Sequence, residues 1–253
     1  MRSPIVIIGL GQLGAVFAHG FLRTGRPVMP VTRELSIRET AVEVPRPDLA
    51  LVAVGEADLE AVLSELPDAW RDRIGLLQNE MLPPDWEKHD IVEPTVIAVW
   101  FEKKRTTGIT EIVPSPVAGP RANLVSEALA TLGLHTRHVD DITDDLILKN
   151  LYILVANIAG LETGGTVGAL WTEHNGLVSA LSEEILQIQS ALAARQVDVA
   201  GMIEALGDTF LADPDHGTRG RSAPARLARA LAHANRLGLG VPELRRIATD
   251  HTA

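Results

Sequence analysis

A short apolar strand that runs straight into the glycines of a G-x-G-x-x-G turn constrains this chain more than any other feature. Ile5 to Ile8 is a four-residue apolar run, the pattern of a strand buried on both faces. Gly9, Gly11 and Gly14 follow at the required spacing, and a helix-periodic segment then runs from Leu13 through Val16, Phe17, Gly20 and Phe21 to Leu22. Strand, glycine turn and helix are the order in which a dinucleotide site is built. Gly9 allows the tight turn, Gly11 lets a pyrophosphate approach the backbone, and Gly14 lets the helix lie close to the strand. The helix N-terminus adds N–H groups and a partial positive charge. The turn Gly9, Gly11, Gln12, Leu13, Gly14 is therefore the expected cofactor cradle.

Alternation of strand and helix continues. Pro27 to Glu34, Asp48 to Gly55 and Ile74 to Asn79 read as strands, with a helix at Glu56 to Leu66. This is the doubly wound α/β pattern, in which ligands sit beyond the carboxyl ends of the strands. Gly9, Arg33, Gly55 and Asn79 all fall at such ends. About 20 residues past the glycines an NAD site usually places an acid for the ribose 2′-hydroxyl. Here the strand ends in Thr32-Arg33, and a planar guanidinium can pair with a 2′-phosphate, so NADPH is expected over NADH. The adjacent Glu34 offers the opposite choice.

Two further β segments, Thr95 to Phe101 and Ile109 to Val113, flank a charged turn at Glu102 to Arg105. A helix at Arg121 to Leu132 and a strand at Thr136 to Val139 complete a first domain over residues 1–139. Residues 140–253 carry almost no strand signal. A helix capped by Asp140, Asp141 or Thr143 runs to about Leu161, apolar nearly all round, and ends at Glu162-Thr163-Gly164-Gly165. Helices at Asn175 to Arg195, Val199 to Leu211, Ala225 to Leu237 and Pro242 to Thr249 follow, with a polar loop at Asp213 to Arg221. The fold class is thus α/β: an N-terminal Rossmann-type doubly wound sheet with a C-terminal all-helical domain.

Bulk properties narrow the function. The 253 residues carry a formal net charge of −10 without a clustered basic stripe, which argues against nucleic acid. Cysteine is absent, which removes disulfides and thiolate chemistry. The longest uncharged apolar stretch, Asn150 to Leu161, is too short to span a bilayer, so no membrane role is expected. The N-terminal apolar run enters the glycine turn and no cleavage site, so the cytoplasm is the expected location. The apolar helices of the second half could serve a homodimer or an intramolecular core. His135 and His138 lack a third metal ligand in view, so no metal site is expected. Trp100, Phe101 and Trp171 read as packing residues, and Thr172 to Asn175 as a helix start.

One residue stands out chemically. Only four lysines occur, and three lie in polar stretches; Lys149 sits inside the apolar run Leu146 to Asn157. Such an ammonium must snorkel out, pair, or face a polar cleft. Asn157 follows two helical turns on, about 12 Å along the axis and rotated by about 80°. Either the two side chains line one cleft, or Lys149 marks the edge of the buried face and Asn157 is a satisfied core amide.

At this point the chain resembles the ketopantoate reductase family. The matching features are the N-terminal glycine turn, Arg33 at the end of strand two, and Gln78-Asn79 ending a mid-domain strand. Lys149 and Asn157 on the first helix of the helical domain and Gly238 to Glu243 near the C-terminus complete them. The resemblance implies hydride transfer from NADPH to the keto carbon of a 2-oxo acid. By it, Lys149 is the general acid, and Asn79 and Asn157 orient substrate and cofactor. The chain departs from the family in four places. Ile153 stands where a second Asn is usual, and Ser222 falls near the place of a late Glu, in a stretch without an acid between Asp215 and Glu243. Gly55-Glu56 replaces a lysine, and Asn79-Glu80 replaces Asn-Gly. The cofactor half of the pattern is kept and the substrate half, Asn79, Asn157 and Ser222, is thinned. A family member that binds NADP(H) without turnover is the alternative expectation.

Overall fold

A computed structural model describes residues 2–103 and 108–251. The chain divides into two units, Met1–Ile142 and Thr143–Ala253.

In the first unit, β1 (Ile5–Ile8) leads through the glycine turn into α1 (Gln12–Arg23). Then come β2 (Val28–Val31), α2 (Ile37–Glu43), β3 (Leu49–Val52) and, after a 3-10 turn at Glu56–Asp58, α3 (Leu59–Glu65). They are followed by β4 (Ile74–Leu76), α4 (Pro83–Glu87), β5 (Thr95–Ile97), β6 (Phe101–Lys103) and β7 (Ile109–Glu111). The unit closes with β8 (Ser115–Ala118), α5 (Ala122–Ala130) and β9 (Thr136–His138). Seven strands form one sheet in the order β2-β1-β3-β4-β5-β8-β9. The pairs from β2 to β5 are parallel, β8 runs antiparallel to β5, and β9 is parallel to β8. β6 and β7 form a separate antiparallel ladder. Lys104 and Arg105 of the expected charged turn lie outside the described residues.

The strands expected from the sequence are present: β1 has the expected bounds, β2 and β3 are shorter at both ends, and β4, β7 and β9 are shorter at the C-terminal end only. The segment expected as one strand from Thr95 to Phe101 divides instead, β5 joining the main sheet and β6 the side ladder. Pro30 is accommodated because β2 is an edge strand, where a missing N–H costs no ladder bond. The residues of β1 and β3 are all buried, as strands covered on both faces must be. On one face Ile5, Ile7, Leu49 and Leu51 pack with Phe17 and Phe21 of α1 and Val125 of α5. The fully buried Trp70 donates its indole N–H to the Val44 carbonyl at 2.9 Å.

The second unit is helical: α6 (Thr143–Thr163), α7 (Val167–Glu173), α8 (Asn175–Ala193), α9 (Val199–Ala212), α10 (Ala223–Leu237) and α11 (Pro242–His251). Asp144 and Asp145 sit in the first turn of α6, where they complement its dipole. α6 is long and apolar enough to cross a membrane by composition, but 67% of its most apolar 18-residue window is buried inside the protein, as in a core helix. The Thr172 to Asn175 segment is not a single helix start: α7 ends at Glu173 and α8 begins at Asn175. Trp171 packs edge-on to Phe210, and Trp100 and Phe101 are buried, as packing residues. His135 is held by Glu111 at 2.9 Å and His138 by Ser126 at 2.8 Å.

Candidate functional site

In the first unit the candidate residues begin with the glycine turn. Gly9 has φ +96°, a conformation L side chains rarely adopt, and any Cβ there would meet the Ala53 carbonyl oxygen at 2.8 Å. A Cβ on Gly14 would lie 2.0 Å from the Gly9 carbonyl oxygen, so this glycine is what lets α1 start against the end of β1. Gly11 is different. It is exposed, and a Cβ there would meet nothing within 4 Å. Its lack of a side chain leaves open space where the turn faces outward. Gly11 also occupies the N-cap position of α1, and no side chain caps that helix.

Beside this turn lies a cavity of about 830 Å³, walled by the carboxyl ends of three adjacent strands. Ile8 to Gly11 come from the end of β1, Val31 to Ile37 from the end of β2, and Ala53 to Gly55 from the end of β3. Val54 and Ile37 give it apolar walls, and Arg33 stands on its rim with its side chain 93% exposed. Arg33 Nη2 lies 3.3 Å from the Asp58 carboxylate, which also lines the cavity. Of the expected cofactor residues, Gly9, Gly11 and Arg33 border this space. Gln12, Leu13 and Gly14 form the first turn of α1 behind it. The volume, the side-chain-free turn and the uncapped helix start fit a dinucleotide. Asp58 was not legible beforehand: nothing local in Glu56-Ala57-Asp58 signals that the 3-10 turn brings it to Arg33.

Asn79 lies elsewhere, not among the cavity's lining. Its Nδ2 donates to Glu56 Oε1 at 3.2 Å, joining the ends of β4 and β3. The neighbouring Gln78 is buried, and its Nε2 donates to the Val52 carbonyl at 2.8 Å. It ties the two strand ends together. Glu80 has φ +61°, so the turn after β4 keeps the backbone that a glycine would adopt without strain.

In the helical unit the candidate residues are on α6. Asn150, buried, donates to Gln189 of α8 at 2.9 Å and fixes the helix there. Next to it, Lys149 is half-buried, and its Nζ lies 5.7 Å from the centre of the Tyr152 ring. Burial lowers its ammonium from the ordinary lysine range to about 7, and the positive charge of Arg226 acts in the same direction. Asn157 is no isolated core amide. Its Oδ1 accepts from Arg226 Nη1 at 2.6 Å, and its Nδ2 donates to the Thr218 carbonyl at 3.4 Å.

The loop from Asp213 to Arg221 makes this arrangement rigid. The Val167 N–H donates to the His216 carbonyl at 2.8 Å, and the Thr218 N–H to the Gly165 carbonyl at 3.1 Å. The fully buried Thr218 hydroxyl donates to the Gly164 carbonyl at 2.8 Å. Ser222 ends the loop as the exposed N-cap residue of α10, and its side chain does not cap the helix. Arg226, one turn on, was missed in the sequence. It sits on an amphipathic helix like any surface cation, and Asn157 is 69 residues away.

No family model matches the chain, and no curated protein matches it either. Solved structures do. The 2-dehydropantoate 2-reductase from Methylococcus capsulatus is 17% identical over 98% of this chain and 96% of that one, with a TM-score of 0.72. The dimeric ketopantoate reductase from Staphylococcus aureus is 15% identical over 97% and 96%, with a TM-score of 0.69. A D-mandelate dehydrogenase solved with NADH and anilino(oxo)acetate is 14% identical over 98% and 96%, with a TM-score of 0.68. The resemblance drawn from the glycine turn, Lys149 and Asn157 is therefore met by solved structures bearing that family's name, and the chain has the fold of the ketopantoate reductases.

Proposed function

We propose that this protein is a cytoplasmic NADPH-dependent reductase of a 2-oxo acid. The observation that carries the reading is Lys149, set in the apolar run from Leu146 to Asn157, whose ammonium burial lowers to about 7. A general acid works best when its pKa lies near the working pH. The nicotinamide cofactor, when bound, supplies a hydride to the carbonyl carbon. Lys149 donates a proton from Nζ to the carbonyl oxygen as negative charge develops there, giving the hydroxyl, and the neutral amine is reprotonated from solvent. The glycine turn and the start of α1 hold the pyrophosphate. Arg33 receives the 2′-phosphate, exchanging its Asp58 partner for a dianion. Asn79, Asn157 and Ser222 orient the reactants. Of the solved structures with this fold, the reductases act on a keto acid by name, which supports the substrate class.

A second reading is a nucleotide-binding protein without turnover. It is favoured by Ile153, buried one turn after Lys149 where the resembling family has an Asn, and by the absence of any acid between Asp215 and Glu243.

NADPH oxidation measured against a panel of 2-oxo acids separates the two. Turnover with at least one acid is expected, with NADPH preferred over NADH and the preference narrowed by Arg33→Ala. Lys149→Ala should lower kcat by roughly 10²- to 10⁴-fold with NADPH binding retained. A chain that binds NADPH and oxidises it with none of the acids is the second reading.

A further inference from the structure

The cavity of the first unit has an acidic wall. Among its described lining residues Arg33 is the one cation, set against the carboxylates of Glu34, Asp58 and Glu65. Asp58 is the acid whose carboxylate meets Arg33, at 3.3 Å. The two residues come from different strand ends: Arg33 follows β2, and Asp58 closes the 3-10 turn after β3. That turn fixes where the carboxylate stands. The Asp58 N–H donates to the Gly55 carbonyl at 3.0 Å, and Glu56 of the same turn accepts from Asn79 at 3.2 Å. Asp58 is also the residue before α3, a place where an aspartate ordinarily accepts from the first N–H groups of the helix. It makes no such bond, and its carboxylate is turned to Arg33 instead.

We propose that Asp58 is a specificity-determining residue of the nucleotide site, a carboxylate that competes with the 2′-phosphate for Arg33 and so holds down the preference for NADPH over NADH. This rests on the reading of the cavity as an NADPH site with Arg33 at the 2′-phosphate. Two effects act together. The first is competition: a phosphate that pairs with Arg33 must open the Asp58 pair. With the two side chains 93% and 52% exposed, that pair is weak and opens readily. The second is repulsion, and it is the larger. A carboxylate held within reach of Arg33 faces a phosphate dianion across a few ångströms, and Glu34 and Glu65 on the same wall add to the opposing field. NADH presents a neutral hydroxyl at that place and meets neither effect. Asp58 therefore acts on the one group that distinguishes the two nucleotides and not on the parts they share.

The test measures binding, by calorimetric titration of the whole protein with NADPH and with NADH at low ionic strength. Asp58→Asn keeps the shape of the side chain and removes its charge. It should tighten NADPH about 3- to 10-fold and change NADH less than about twofold. Asp58→Glu restores a carboxylate and should behave as wild type. Asp58→Ser, a second neutral variant whose hydroxyl can cap α3, should repeat the gain even where the Asn variant folds poorly. The gain should shrink as salt is raised, because screening weakens the repulsion. An unchanged ratio of NADPH to NADH affinity in a folded neutral variant overturns the proposal, as does an equal gain for both nucleotides. The reading beneath it fails separately. If Arg33→Ala leaves NADPH affinity unchanged, the 2′-phosphate does not lie on Arg33 and both fall. If Arg33→Ala weakens NADPH while the neutral variants of Asp58 change nothing, only the role of Asp58 is removed.

Discussion

As the proposed general acid, Lys149 would stand at the crossing of two demands. Its helix needs apolar residues to fill the core, and general-acid chemistry needs an ammonium that can release its proton. Burial together with the Arg226 charge lowers it from 10.5 to about 7, and this has a kinetic and a thermodynamic consequence. The acid must be protonated to act, so kcat for reduction should be flat below pH 7 and fall about tenfold per pH unit above it. Arg226→Gln should move the break upward. For stability the sign runs the other way. Between about 7 and 10.5 the unfolded chain binds a proton that the folded chain lacks, so this group's unfavourable contribution shrinks as pH rises. Lys149→Met should therefore melt higher than wild type at pH 6, with the gap closing toward pH 10. A pH-independent difference in Tm would show that the lysine is not desolvated. Lys149 could be picked out in the sequence because its run is apolar on both sides. Arg226 could not, because its meaning lies in a hydrogen bond to a residue far away in the chain.

At the level of elements, what was legible was what is local. β1, the glycine turn and α1 follow from adjacent residues, and so do the long helices of the second half. β8 was not legible: Ser115-Pro116-Val117-Ala118 has neither β-branched richness nor alternation, and its place comes from pairing with β5 and β9. The short helices α2, α4 and α7 escaped for a related reason, since five to seven residues carry too little periodicity to register. In the site itself, the second and third glycines of the turn have separable roles. Gly14→Ala puts a methyl group 2.0 Å from a carbonyl oxygen of the turn and must displace α1, at a cost of about 1–3 kcal/mol. Gly11→Ala meets nothing in the protein, and its backbone, at φ −68°, is open to any residue. It should fold with an unchanged Tm and lose NADPH affinity, because its Cβ would stand only in the ligand's space. Thermal melting paired with NADPH titration checks both. Normal NADPH binding by the Gly11→Ala variant would place the pyrophosphate elsewhere.

At the scale of the whole molecule, the residues proposed for cofactor and for proton transfer come from two different units of the chain. The nucleotide cavity is lined entirely by residues of the first, and Lys149, Asn157, Ser222 and Arg226 all belong to the second. A ligand stabilises the part that holds it, by about 2.7 kcal/mol at 100 times its Kd. Hydrogen exchange should resolve the division. NADPH alone should slow exchange in the turn after β1, at the end of β2 and in α2, where its contacts lie. Oxamate, a non-reducible analogue of a 2-oxo acid, added to the NADPH complex should then slow exchange around Lys149 in α6, where the proposed general acid lies. If NADPH protected only the second unit, the glycine turn would not be its cradle. If oxamate protected only the first, the substrate would not reach Lys149, and the assignment of the general acid to the helical half would be wrong even with activity intact.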